Sequence, residues 1–449
     1  MGQRKIQYSF YKDIFHDYEG GRKLTKVIVI GGGWAGCAAA ISARKAGAEV
    51  IVIERMDILL GLGNVGGLTR NNGRYTAAEE CILLGGKELF DITDRYSRHK
   101  NVDFPGHKHA SIYDVNFVES AVTEKVKQMG IELMTNTRVT NVVITNNHIE
   151  AVKLEKGDII KGDSFIDTTG STGPVNNCYK YGNGCAMCIL RCPAYGGRVS
   201  ISEKCGVPDM IGKRKDDTFG SFSGSIKIKK ETLSKDIQEE LNSNGVVVIP
   251  LPKEEVNSRK LDIKICRQYA TKEYVENIVL LDTGHAKLMA PFYPIHKLRK
   301  IKGFEKVRFE DPYAAGIGNS IRHMSAAPRD DYMKVDNVDN LFTAGEKSGF
   351  YIGHTEAIVT GYLAGNNAVR HIVGRDKLRI PSSTVIGDFV SHSNSEMRKD
   401  GGDKKKFTFA GADYFERMME LDLYTINADA LRKRIKSEDL LNIYNEKLI

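Results

Sequence analysis

The sequence predicts an α/β fold: a Rossmann-like nucleotide domain whose parallel sheet carries a β-meander, an inserted substrate domain, and a short helical C-terminal region. Three observations lead there. Two short β-branched apolar runs, Val27-Ile28-Val29-Ile30 and Val50-Ile51-Val52-Ile53, flank a helix-forming stretch from Ala35 to Ala46, the pattern of a β-α-β unit with buried parallel strands. The first run stops at Gly31-x-Gly33-x-x-Gly36 and the second at Glu54. Far along the chain, Asn340-Leu341-Phe342-Thr343-Ala344-Gly345 again reads as a strand ending in glycine, followed by a small-residue helix over 355–371. The nucleotide domain is therefore expected to be discontinuous.

Taken in order, residues 1–25 form an N-terminal arm without clear periodicity, and 26–170 the first part of the nucleotide domain. Within it, Val118, Ala121, Val122, Val126 and Met129 recur at helical spacing and predict a helix over 116–129, ended by Gly130. Three alternating runs follow at 138–145, 148–155 and 159–167. Asn146-Asn147 and Lys156-Gly157-Asp158 between them read as hairpin turns, giving a small antiparallel meander. Residues 171–337, with mixed periodicity and most of the cysteines, read as the substrate domain; 338–375 close the nucleotide domain, and 376–449 form a helical C-terminal region. Arg398 to Lys406 is expected to be an exposed loop.

At 449 residues the chain is long enough for two domains with appendages. No apolar run approaches the ~20 residues needed to span a bilayer, and the charged opening MGQRKIQYSF is followed by no apolar stretch. The expectation is a cytoplasmic protein that does not enter the membrane. A net charge of +8 allows a polyanionic partner without demanding one. Basic residues cluster at Lys227-Lys229-Lys230, from His296 to Lys306 and at Lys404-Lys405-Lys406, runs that more often are solvated faces.

In the glycine motif, Gly31 permits a tight turn, Gly33 lets a pyrophosphate approach the backbone, and Gly36 lets the helix lie close to the strand. The helix N-terminus, at Trp34 and Ala35, then faces the phosphates. Glu54, at the end of the second strand, is placed to accept hydrogen bonds from a ribose. FAD and NAD share this fingerprint, and two further segments favour FAD. Phe165-Ile166-Asp167-Thr168-Thr169-Gly170 brings a strand end beside the dinucleotide, and Gly345-Glu346 with Gly353-His354-Thr355-Glu356 brings a second helix N-terminus to the flavin. That helix carries Ala357, Gly361, Ala364, Gly365 and Ala368 on a nearly bare face suited to very close packing against the first helix. Its positive end would stabilise charge on a reduced flavin.

Val29 to Ala40, Asp167 to Gly170 and the blocks from Asn340 to Ala368 carry a resemblance to the glutathione-reductase-type FAD oxidoreductases. Within them the chain resembles the glucose-inhibited division protein A group, whose relatives include folate-dependent RNA uridine methyltransferases. The resemblance implies an FAD domain. It also implies a flavin-facing loop from Glu54-Arg55 through Gly66-Gly67-Leu68-Thr69, with Val139 as a further cofactor contact. No second Gly-x-Gly-x-x-Gly follows a strand, so a separate NAD(P)H domain is not expected.

Cys178, Cys185, Cys188 and Cys192, spaced C-x6-C-x2-C-x3-C and followed by Pro193, are candidate ligands of an iron-sulfur cluster or zinc. Alternatively Cys185 and Cys188 form a redox dithiol, or the thiols are inert, with Cys205 a replacement ligand in the metal reading. His354 is the candidate proton donor at the flavin, a helix-capping role being its alternative. The leading expectation is an FAD-dependent oxidoreductase acting on an unidentified small molecule or electron-transfer partner, through a cluster or thiols. The second is an enzyme that modifies uridine in tRNA or rRNA. The cysteine readings separate by experiment: with a metal, Cys188→Ser lowers the iron or zinc content of anaerobically purified protein while FAD stays bound, and wild-type protein devoid of both metals removes that reading.

Overall fold

The structure is a computed structural model describing residues 18–19, 22–23, 25–170, 199–219, 221–222, 224–256, 269, 271–290, 292–311, 321–322 and 324–449. At its centre lies a parallel sheet of β1 (Lys26–Ile30), β2 (Glu49–Ile53), β3 (Glu132–Met134), β4 (Ser164–Asp167) and β5 (Leu341–Thr343), in the spatial order β5-β4-β1-β2-β3. Beyond Lys26 and Glu49 the central strands β1 and β2 are wholly apolar, because both faces are covered. Val27, Val29, Val50 and Val52 point into one core with Ile166 and Phe342. Ile28, Ile30, Ile51 and Ile53 point into the other with Phe165 and Leu341, as the two-residue period of a strand requires.

From β1 the chain passes through helix α1 (Trp34–Lys45) to β2 on one side, while β4 pairs with β1 on the other. The strand order thus reverses between β1 and β4, and the crevice beyond the carboxyl ends at such a reversal is where open α/β sheets bind ligands. Helix α2 (His354–Ile372) lies directly on α1. A Cβ added to Gly361 would sit 2.4 Å from the Ala35 carbonyl oxygen, and one on Gly365 would sit 2.2 Å from that of Ala39. The bare helix face expected from the sequence is therefore a backbone-to-backbone contact.

The meander comprises Val139–Thr145, His148–Leu154 and Ile159–Lys161. The single strand expected over 159–167 is instead two, in different sheets. It breaks at Gly162-Asp163, where a Gly162 Cβ would strike the Ile28 side chain at 2.5 Å and Asp163 accepts a hydrogen bond from the Lys26 N–H. The substrate-side region contains a four-stranded antiparallel sheet in the order Ile226–Ile228, Ala286–Leu288, Asn277–Asp282, Val246–Pro250, backed by helix Lys235–Asn244 over its own core. A further sheet of Leu68–Thr69, His107–Tyr113 and Ser97–Phe104 had no clear signal in the sequence. Its Leu68, Phe104 and Ile112 share a core with Val279, Leu281 and Met289, so the two antiparallel sheets are joined.

C-terminal helices Val385–Met397, Ala412–Glu420 and Ala428–Ser437 pack into the α1–α2 core through Phe389, Tyr414, Met418 and Ile435. Buried Glu80 fastens this layer: its carboxylate accepts from the Val385 and Ile386 N–H groups at the start of a helix and from Arg434. The expected loop from Arg398 to Lys406 is not a free basic surface. Lys404 pairs with Asp217 at 2.8 Å, Lys405 with Glu396, and the Lys406 ammonium lies 4.5 Å from the Phe350 ring centroid.

Because the atoms opposing Gly361 and Gly365 are backbone, they have little room to yield. Gly361→Val and Gly365→Val should each cost about 1–3 kcal/mol or more, read as a lowered midpoint of thermal unfolding of the cofactor-free protein.

Candidate functional site

The glycine motif folds as its spacing requires. Gly31, at φ +105°, donates its N–H to the Ile53 carbonyl, and a Cβ there would lie 2.6 Å from the Thr168 carbonyl oxygen. A Cβ on Gly36 would fall 1.9 Å from the Gly31 carbonyl oxygen. Gly33 differs: a Cβ there meets nothing within 4 Å. Two glycines are thus demanded by the protein's own packing, while the third faces open space at the start of α1, where a diphosphate would approach the backbone.

Glu54 is buried at the carboxyl end of β2, one oxygen accepting from the Gly32 N–H at 2.7 Å and the other from the Met56 N–H at 2.8 Å. A carboxylate offers about four acceptor directions, so both oxygens retain capacity for ribose hydroxyls. On the other side of the switch point, Thr168 donates to the Ile30 and Gly31 carbonyls. The Thr169 N–H and hydroxyl both donate to Asp167, whose second oxygen accepts from the Ile201 N–H, and Gly170 follows at φ +81°. Burial raises the Asp167 carboxyl above its ordinary range. Gly345, at φ +65°, donates to Thr360 and abuts the Ala35 methyl, with Glu346 half-buried beside it.

Around the start of α2 the structure brings together residues from three segments. The His354 Nδ1 lies 2.9 Å from the Tyr113 hydroxyl, and the His354 and Trp34 rings are 5.5 Å apart. Both histidine and tryptophan close on the loop 63–67: a Cβ on Gly66 would strike the His354 ring, and one on Gly63 would strike the Trp34 ring. Gly67, at φ +77°, has no room for a Cβ against the Thr283 side chain, and Arg55 lies half-buried at the loop's entry. Among the described residues, the buried Trp34 Nε1, Thr69 Oγ1 and Thr355 Oγ1 have no hydrogen-bond partner. Buried polar groups are seldom left so, and orphaned atoms of Trp34 and Thr355 at the starts of the two helices fit a polar cofactor. The residues present therefore suit the dinucleotide and flavin of FAD.

Three of the expected contact residues also make interactions within the protein. Glu356 is fully buried and held by both Arg74 Nε contacts, the Thr408 hydroxyl and the Phe409 N–H. It therefore serves as the counter-ion of a buried arginine, and Gly353, at φ +140°, is the residue that leaves room for the pair. Val139 buries its side chain in the core between the meander and the central sheet. Cys178, Cys185, Cys188 and Cys192 lie outside the described residues. Of the described thiols, Cys37, Cys81 and Cys205 are free; burial pushes each up, Cys205 to about 12, so none is a poised thiolate. Among the described residues no group of acidic, cysteine or histidine side chains is arranged to hold a metal, and no helix is long and apolar enough to cross a membrane.

Sequence reasoning missed Tyr113, Arg74 and Lys287. Lys287 stands between Ala286 and Leu288 in a strand, and all three are buried. A lysine inside so short an apolar strand is the one signal that pointed to it.

Over residues 26–290 and 293–376 the chain matches the family described as Glucose inhibited division protein A. The match runs through the described parts of the substrate-side sheet, beyond the FAD-domain blocks that carry the resemblance in sequence. The chain is 24% identical over 432 residues to the tRNA uridine 5-carboxymethylaminomethyl modification enzyme MnmG of Chlorobium phaeovibrioides, covering 82% of this chain and 67% of that one. It is 34% identical over 114 residues to the methylenetetrahydrofolate–tRNA-(uracil-5-)-methyltransferase TrmFO of Prochlorococcus marinus, covering 25% of this chain and 24% of that one. A TrmFO of Caldicellulosiruptor bescii is 29% identical over 115 residues, 26% of this chain and 24% of its own length. The chain thus spans about a quarter of the length of these two methyltransferases. The structure of Aquifex aeolicus GidA has the same fold, with a TM-score of 0.61 at 17% identity over 92% of this chain and 76% of that one.

The open Gly33 separates cofactor binding from folding. Gly33→Leu should leave the thermal unfolding of cofactor-free protein unchanged and abolish FAD retention, measured by chromatography of the cofactor released on denaturation; retained FAD would move the pyrophosphate elsewhere.

Proposed function

Because the chain belongs to the glucose-inhibited division protein A family, we propose that it is an FAD-dependent enzyme that modifies uridine in RNA, with tRNA as the substrate class. The observation that carries this reading is the alignment to a tRNA uridine-modifying enzyme over 82% of the chain. It favours RNA over the unidentified small molecule or electron-transfer partner that was the leading expectation from sequence.

FAD, when bound, supplies a two-electron acceptor and donor at its isoalloxazine. The chain's own residues hold and tune it. Gly31, Gly33 and Gly36 bring the N-terminus of α1 to the diphosphate, and Glu54 accepts from the adenosine ribose. Helix α2 aims its positive end at the flavin, where partial charge favours the anionic reduced form. Tyr113 is fully buried and its hydroxyl is pushed well above the ordinary range, so it stays protonated and able to donate to His354 Nδ1. With Tyr113 as the donor, a neutral His354 carries its proton on Nε2.

The basic run from His296 to Lys306 supports an RNA-binding surface: Lys300, Lys302 and Lys306 are exposed, in contrast to the engaged cations at 404–406.

The expected results are FAD-bearing protein that binds tRNA with affinity falling steeply as salt rises, and weaker binding after Lys300→Glu combined with Lys302→Glu and Lys306→Glu. RNA from cells lacking the protein should lose one modified uridine, seen by nucleoside mass spectrometry and restored by the wild-type gene. Unchanged nucleosides together with no RNA binding would return the protein to small-molecule redox chemistry.

A further inference from the structure

The four-stranded sheet touches the loop 64–67 through two lysines on neighbouring strands. Lys227 and Lys287 stand opposite each other in the register of the pair, Lys227 donating to the Asn64 carbonyl at 3.0 Å and Lys287 to the Val65 carbonyl at 3.0 Å and to the Gly66 carbonyl. Lys287 is buried, and no carboxylate is among its hydrogen-bond acceptors. The Gly67 carbonyl accepts from the Tyr113 N–H at 3.0 Å, and Gly66 lies so close to His354 that a Cβ on it would strike the ring. Tyr113 in turn lies 2.9 Å from His354 Nδ1.

These contacts form one connected set: Lys287 holds the Gly66 carbonyl, Gly66 packs on the His354 ring, Gly67 engages the Tyr113 N–H, and the Tyr113 hydroxyl meets His354 Nδ1. We infer that Lys287 is a positioning residue which, through the Gly66-Gly67 peptide and Tyr113, fixes the tautomer and orientation of His354 at the flavin. With Lys287 on the Gly66 carbonyl the loop stays against the ring and Tyr113 keeps its O–H on Nδ1, so that His354 carries its proton on Nε2. The arrangement is held taut from both sides, because Tyr113 belongs to the sheet sharing a core with the lysine-bearing sheet and His354 begins α2. Burial near Lys227 and Arg74 lowers Lys287 to about 7. As ammonium or as neutral amine it keeps N–H donors for the Gly66 carbonyl.

The inference rests on FAD binding as proposed above, and wild-type protein lacking FAD would sink that premise by itself. With FAD bound, the tests are independent of RNA. In wild-type holoenzyme labelled with 15N-histidine, His354 should give an unprotonated Nδ1 signal and a protonated Nε2 signal, assigned by comparison with His354→Gln. The midpoint potential of bound FAD should move to more negative values in Lys287→Met and in Tyr113→Phe, and Lys287→Arg should restore part of the shift. In a His354→Ala background the Lys287→Met change should have no further effect, because both act through the same ring. A protonated Nδ1 in the wild type, an unshifted potential in Lys287→Met, or an undiminished Lys287 effect without the histidine would each overturn the inference. If Lys287→Met does not fold, the wild-type tautomer and the Tyr113→Phe potential still decide it.

Discussion

The approach of helix α2 to helix α1 is the contact on which the remaining geometry depends. With the Ala35 and Ala39 carbonyls against Gly361 and Gly365, no side chain separates the two backbones. Both helix N-termini consequently open on the same crevice, one beside Gly33 and the other at His354. A pair held apart by leucines would place its ends roughly a side chain farther apart and aim them differently. The cost is a strip with little side-chain burial of its own. It is offset by the apolar residues around it, among them Ile41, Val359, Tyr362 and Leu363, which are fully buried.

Buried charge in this protein is used mostly to fasten layers together. Arg74 and Glu356 tie the helix Gly73–Leu83 to the start of α2; Glu80 ties the same helix to the C-terminal helices. Lys347 and Asp209, nearly inaccessible, join the turn after β5 to the segment following residue 199, with Ser200 sharing the ammonium. Removing one partner of such a pair leaves the other buried and uncompensated, at a cost of several kcal/mol. Lys287 stands outside this pattern, since its recorded hydrogen bonds go to backbone carbonyls at the site itself.

The nucleotide domain was legible because its constraints are local. Strand, glycine turn and helix lie within thirty residues, and the alternation of Val27 to Ile30 between two cores shows directly in sequence. Even the tight helix pair could be read, since glycine and alanine at four-residue spacing leave few other uses for a face. What could not be read depends on residues brought together from afar. Glu356 carries the same acidic signal whether it faces a cofactor or Arg74, and only the fold brings Arg74 to it. The strand expected to continue to residue 167 breaks because Asp163 finds the Lys26 N–H across the sheet. Tyr113 and Lys287 come from sheets whose short strands give little periodicity, so neither announced its place beside His354.

The helix contact also sets an order of events during synthesis. Ala35 emerges from the ribosome more than three hundred residues before Gly361, an interval of tens of seconds at about 5–20 residues per second. Until then the first β-α-β unit lacks the cover for one face of α1 and half of the crevice. Closing a loop of that length adds only slowly to the entropy cost, but the contact itself cannot form early. The nascent chain must therefore keep an apolar helix face shielded by other means, and stable FAD loading belongs to the last stage of folding.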